Sequence, residues 1–388
     1  MSKNVPEGWE IRTSEAIYER LRVPRVHDRT TVNVAGKFPV IDQSENSQIG
    51  FLEVEPDFVC DEDNPIVTFA NHTCAVRKMK IPFGVIQNVF PLKSRQDTDI
   101  NFIFQILKEG IEPEGYKGHY PKLRETEFLI PPLPEQKKIA SILTSVDDVI
   151  ENTRKQIDKL QDLKKATMNE LLTKGIGHTE FKDSELGRIP KSWEVVELRE
   201  NLTFISYGFT NPMPESKSGN LMVTAKDVNN GVIDYENARK TTSEAFEELL
   251  TDKSRPKIGD VLLTKDGTLG RLAVVDKEGI CINQSVAVLR PNEKISSMFL
   301  FNMLSSPYYQ KTMLDNAGGS TIKHIYITVV DKMKVVKPPL DEQDAITTVL
   351  SKINVQFDIV CRKLSQTQSL KKSLMQDLLT GKVRVKVN

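Results

Sequence analysis

The sequence predicts an α+β protein built as two similar units related by a pseudo-twofold, each an irregular globular segment followed by a long coiled-coil helix. Three observations predict this. First, PPLPEQKKIASILTSV from Pro131 is echoed by PPLDEQDAITTVLSKI from Pro338, at an offset of about 207 positions, so that Glu135 matches Glu342, Gln136 matches Gln343 and Met168 matches Met375. Second, a shorter echo opens each half, VPEGWE at Val5 to Glu10 and IPKSWE at Ile189 to Glu194. Third, both repeated blocks carry apolar residues at alternating steps of four and three, the period of a helix–helix seam.

The helices are read from that period. Ile139, Leu143, Val146, Ile150, Ile157 and Leu160 form the seam of the first, and Ile346, Leu350, Ile353, Phe357 and Leu364 hold the same register in the second. Glycines 175 and 381 follow LLTK and LLT, as helix stops do. At ~1.5 Å per residue, about 35 residues make a rod of ~50 Å. The expected boundaries are 1–133 and 189–340 for the globular segments, 134–175 and 341–381 for the helices, 176–188 for a polar connector and 382–388 for a tail. Inside the globules, IVTFANHTCAVRKM and GDVLLTKDGTLGRLAVVD each read as two short strands joined by a turn. Asn101 to Lys108 and Ser297 to Tyr309 read as single helices.

Hydrophobic content of 39% and charged content of 27% describe a protein with a proper core, and a net charge of zero argues against nonspecific coating of nucleic acid while permitting local basic faces. No run approaches the ~20 apolar residues of a membrane helix, and MSKNVPEGWE lacks a signal-peptide core, so no membrane association is expected. Four cysteines without a CxxC pair suggest inert thiols in a reducing cytoplasm.

Taken together, the PPLxEQ lead-ins, the LKK…M…LLT helix ends and the FKDSELGRIPKSW connector resemble the conserved regions of specificity subunits of type I restriction–modification systems. GDVLLTKDGTLG and GGSTIKHIY resemble segments of that family's target recognition domains; the first half fits less closely, its GHYPKL echoing GGSTIKHIY only loosely. The resemblance implies two target recognition domains separated by two long antiparallel helices, each domain reading one half of a bipartite double-stranded DNA target while the helices set the spacer. It also implies two adenine-methyltransferase modification subunits docked on the helices, and restriction subunits that translocate DNA. S-adenosylmethionine, ATP and Mg²⁺ would then belong to partners, with no cofactor in this chain. The competing reading is a non-catalytic coiled-coil scaffold for protein interactions.

DNA readers need phosphate contacts for position and base contacts for sequence. In the second domain the candidates are Thr264, Lys265, Asp266 and Thr268 at the hairpin turn, Ser320, Thr321, Lys323 and His324 in the late loop, and Tyr207 and Thr210 in an early loop. In the first they are Asn71, His72 and Thr73 at the turn with Arg77 and Lys78 beyond it, Lys117, His119, Tyr120 and Lys122 in the late loop, and Lys37. Lysine reaches guanine or phosphate, asparagine pairs with adenine, and threonine or aspartate bonds base edges. The plainer alternative is ordinary turn chemistry, in which Asp-Gly merely suits a hairpin and histidine caps a turn. Arg20, Arg22, Arg25 and Arg29 form a basic run, which reads more readily as a solvated face than as a phosphate contact. Catalysis finds little support: Asn211-Pro212-Met213-Pro214 lacks the aromatic of an amino-methyltransferase motif, DGTLG lacks a phosphate-loop Lys-Ser/Thr, and no carboxylate cluster or zinc set is spaced to hold a metal.

Overall fold

The computed structural model describes residues 5–387 apart from 116, 230 and 320–322. Its contacts divide the chain into two compact units, Met1–Lys155 with Arg362–Asn388, and Gln156–Cys361. Each long helix, Leu133–Lys174 and Leu340–Leu378, begins in one unit and ends in the other.

Both units use one topology. In the first, a four-stranded antiparallel sheet runs in the order Tyr18–Arg20, Val89–Ser94, Ile66–Ala70, Val76–Met79. In the second, the order is Leu202–Tyr207, Val286–Pro291, Val261–Thr264, Leu272–Val274. Each unit adds a parallel strand pair, Phe38–Ile41 with Gly84–Val85 and Asn220–Val223 with Ile280–Ile282. Each also closes with a two-stranded ribbon that leads into a long helix, Glu10–Thr13 with Glu127–Ile130 and Glu194–Glu197 with Lys334–Lys337. Central strands such as Val261–Thr264 are buried on both faces, which explains their unbroken apolar runs. The predicted strand pairs of both hairpins are thus present. The helix expected over Ser297 to Tyr309 is instead two, Ser297–Ser305 and Pro307–Asp315, because Pro307 lacks the N–H needed to continue a helix and starts a new one at its first position. The polar connector contains a hairpin, Phe181–Ser184 with Gly187–Pro190, that its composition concealed.

The repeated lead-in is where each unit is tied together. Trp9 N–H bonds Pro6 O and Trp193 N–H bonds Pro190 O, both at 3.0 Å, so the Pro-x-x-Trp echo is a turn that seats an indole. The Trp9 indole N–H then donates to Glu135 (3.1 Å), and that of Trp193 to Glu342 (2.8 Å). Arg384 grips Glu135 with two bonds of 2.8 Å, while His178 and the Ile176 N–H hold Glu342 at 2.8 and 3.0 Å. The neighbouring glutamine works in the other direction. Gln136 donates to Pro131 O and Asp97 O and accepts from Asp99 N–H; Gln343 donates to Pro338 O and Lys294 O and accepts from Ser296 N–H. Asp99 and Ser296 are the N-caps of Ile100–Gly110 and Ser297–Ser305, so one side chain locks the long helix to its domain's own helix.

The helices pack antiparallel, start against end. In the first unit Ile139, Ala140 and Leu143 share a core with Met375 and Leu378. In the second, Met168 and Leu172 share one with Ile346 and Leu350. Ile150 is buried; Val146, Ile157, Leu160, Ile353, Phe357 and Leu364 are half-buried, as a two-helix seam allows. Gly175 and Gly381 take φ of 65° and 69° just past the helices, where a Cβ would clash with Glu342 Oε1 and with Pro6 Cγ respectively. Burial pushes the thiols of Cys60 and Cys281 up to about 11 and about 12.

Two outcomes follow from the tie. Gln343→Leu leaves two carbonyls and an N-cap N–H without partners and should cost about 2–3 kcal/mol in urea unfolding. Glu135 is penalised by burial, but bonds from Arg384 and Trp9 outweigh this and hold its carboxyl below the ordinary value. A carboxyl depressed on folding stabilises above its unfolded pKa of about 4.3 and loses that contribution as pH falls through the folded value. The stability gap between wild type and Glu135→Gln should therefore be full near neutral pH and close below about pH 4.

Candidate DNA interface

In each unit three segments meet at one end of the four-stranded sheet, joined by backbone bonds in the same pattern. In the first, Asn71 N–H donates to Asn88 O (2.8 Å), and His119 N–H donates to Asn71 O (2.8 Å). In the second, Lys265 N–H donates to Ser285 O (2.9 Å), and Ile325 N–H donates to Lys265 O (3.0 Å). The hairpin turn and the late loop predicted from sequence are therefore brought together in both domains, with a third loop behind them.

The second domain presents a charged cluster. Asp266 accepts from the Lys265 ammonium (2.8 Å) and is bonded to His324 Nδ1 (2.5 Å), so one carboxylate orients both side chains. Lys265 also lies 5.5 Å from the centre of the half-exposed Tyr207 ring, with Lys253 at 6.0 Å on the same ring. Thr268, exposed at the turn, bonds Ala225 O, and Lys323 is exposed. Thr210 is exposed beside a cleft lined by Phe209, Asn211 and Met213, which places the Asn-Pro-Met-Pro stretch in a loop. Thr264 is fully buried: its hydroxyl donates to Thr268 O and accepts Arg271 N–H at 2.9 Å, so it shapes the turn from within. Ser320 and Thr321 lie outside the described residues.

In the first domain several predicted readers are engaged internally. Arg77, at 12% side-chain exposure, spends its guanidinium on Asp42 (2.9 Å), Ser44 O and Ser47 O (2.7 Å), pinning the 42–48 loop. Lys78 bonds Asn101 Oδ1 at 3.1 Å and sits 5.3 Å from the Phe104 ring; burial lowers its ammonium. His119 is 1% exposed, with Nδ1 donating to Asn71 O (3.0 Å) and Nε2 accepting Glu114 N–H (2.9 Å), which fixes its tautomer. Asn71 accepts from Tyr120 N–H through its side chain. His72 bonds Lys117 O (3.0 Å), and Thr73 bonds Gln43 O. Lys117 and Lys122 both grip Glu114, holding that carboxyl down to about 2. Lys37 is exposed. Arg20, which the sequence shows only as part of a basic run, stacks its guanidinium 3.9 Å over Phe90 and 5.2 Å from Tyr120. Among the described residues no group of acids, histidines and cysteines could hold a metal ion, and no helix is long and apolar enough to cross a membrane.

The sequence profile of the type I restriction modification DNA specificity domain matches residues 6–162 and 190–367, most of the chain and one match per half. The chain belongs to this family. It is therefore a DNA-recognition subunit of a type I restriction–modification system and not an enzyme itself. The MjaVIII specificity subunit of Methanocaldococcus jannaschii is 33% identical over 98% of this chain and 94% of its own length. The EcoBI specificity subunit of Escherichia coli is 26% identical over 68% of this chain and 58% of that protein. Among solved structures, the S subunit from M. genitalium superposes with a TM-score of 0.60 at 14% identity, over 98% of this chain and 97% of that one. A chain from a study of type I system assembly superposes at 0.57 with 16% identity, over 98% of this chain and all of the other. These likenesses show the fold: two α+β domains and two long helices that pack antiparallel within each unit.

Because the Thr264 hydroxyl closes the turn, Thr264→Val should leave the Arg271 N–H unpaired and lower stability by about 1–2 kcal/mol, read as a drop in melting temperature.

Proposed function

We propose that each domain reads one half of a bipartite duplex target and that the paired helices set the spacer between the halves. One observation carries this reading: the same three-segment junction is built twice on the same tie, yet its exposed side chains differ. The first turn offers Asn-His-Thr, the second Lys-Asp-Gly-Thr. A shared frame with different donors and acceptors is what two different half-sites require. In the second domain Lys265 and His324, steadied by Asp266, meet the DNA with Lys323, Thr268 and Thr210; Tyr207 supplies a face for sugar or base. In the first, Lys37, Lys117 and Lys122 supply phosphate contacts around Asn71, His72, Thr73 and Tyr120. Arg77, Lys78, His119 and Thr264 act behind these, holding the loops in shape.

The reading extends to partners. Exposed apolar residues on the helices, among them Val149, Leu163, Val355 and Ile359, suit docking of two modification subunits. S-adenosylmethionine would be bound by those subunits, and ATP and Mg²⁺ by restriction subunits, in a cytoplasmic complex. Mapping methylated adenines in DNA from cells carrying the whole system tests the bipartite target directly. The spacer claim has its own test. Inserting one heptad into each helix, after Lys155 and after Cys361, lengthens the seam by ~10 Å and should lengthen the spacer by about three base pairs with both half-sites unchanged. An active variant with the original spacer would refute it.

A further inference from the structure

Behind the reading hairpin of each domain lies a short loop that no sequence motif marked. It is Ile86-Gln87-Asn88 in the first domain and Asn283-Gln284-Ser285 in the second. Both loops lead from the parallel strand, Gly84–Val85 or Ile280–Ile282, into the long central strand, Val89–Ser94 or Val286–Pro291. The residues flanking the glutamines are pinned on both sides. Ile86 and Asn283 form parallel bridges with His27 and Phe209. Asn88 O and Ser285 O accept the N–H groups of Asn71 and Lys265, the first residues of the two reading turns. Asn88 takes φ of 66°, a left-handed conformation that asparagine tolerates and that turns the chain sharply here.

Between these anchors both glutamines are exposed, and among the described residues neither side chain has a hydrogen-bond partner. Five other glutamines, Gln43, Gln105, Gln136, Gln310 and Gln343, are instead spent on bonds to other parts of the fold. Gln284 also lines the open cleft beside Thr210 and Asn211. A pinned backbone carrying an unpaired carboxamide next to the reading turn is suited to a base: the amide offers a donor and an acceptor together, matching N7 and N6 of adenine in the major groove. The turns around it differ between the domains, but the glutamine does not.

We propose that Gln87 and Gln284 each read one A·T pair, one in each half-site, as the element of recognition the two domains share. This rests on the DNA-reading function proposed above. The test selects bound duplexes from a randomised pool, using the full chain in its modification complex as wild type, Gln87→Ala and Gln284→Ala. The expected result is loss of one A·T preference per variant, in opposite half-sites, and affinity for the wild-type target lower by about 10- to 100-fold. Unchanged melting temperatures would accompany it, because the side chains are exposed and unpaired. The proposal is overturned if the selected motif is unaltered, or if affinity falls equally for every duplex, as a phosphate contact would give. If the wild-type complex itself selects no motif, the DNA-reading function fails first, and the wild-type arm alone reveals it.

Discussion

Everything in this molecule hangs on an adjacent acid and amide at the start of each long helix. Glu135 is buried and Glu342 partly so, and each is satisfied by an indole N–H and by a second partner from the segment that follows the other helix, Arg384 or His178. Gln136 and Gln343 are buried one position on and close the N-cap of a domain helix. A buried carboxylate or carboxamide is costly unless every lone pair and proton is matched, so these residues tolerate few arrangements. That intolerance fixes the angle at which a domain meets its helix.

The seam between the helices carries a polar rung that differs between the units. In the first unit Lys371 pairs with Asp147 at 2.6 Å, and Gln105 bonds the same carboxylate at 2.9 Å. In the second unit the matching positions are Lys164, Asn354 and Asn302. Without a carboxylate at 354, Lys164 feels Asp358 one turn along; burial dominates and lowers its ammonium. Asn302 is buried with its amide unpaired among the described residues. A polar group in an apolar seam costs stability and favours a single register. The first unit holds its rung with an ion pair and an amide bond to Asp147, although Gln105 Oε1 is buried without a partner, whereas the second has neither bond at the matching positions, so the two rungs are stabilised differently.

The repeat, the heptads, the helix stops and the strand pairs were all legible, because each depends on neighbours within a turn or a hairpin. Glu135 and Gln136 were visible as a repeated string, but their purpose was not: their partners lie at Trp9, Asp97 and Arg384. The same distance explains the candidate site. Arg77 and His119 look like DNA contacts when read along the chain, since cations and imidazoles near a turn usually face solvent. The fold instead places Asp42 and Asn71 against them and turns both inward.

The sequence by itself therefore determined the number of units, their paired long helices and the family, through local periodicity and repetition. Only the tertiary structure decided which polar side chains remain available. It spent Arg77, His119 and Thr264 on holding loops, left Gln87 and Gln284 unpaired between anchored neighbours, and built one junction twice from dissimilar segments. The physical reason is that a side chain's availability depends on hydrogen-bond partners brought in from far along the chain, which no local pattern encodes.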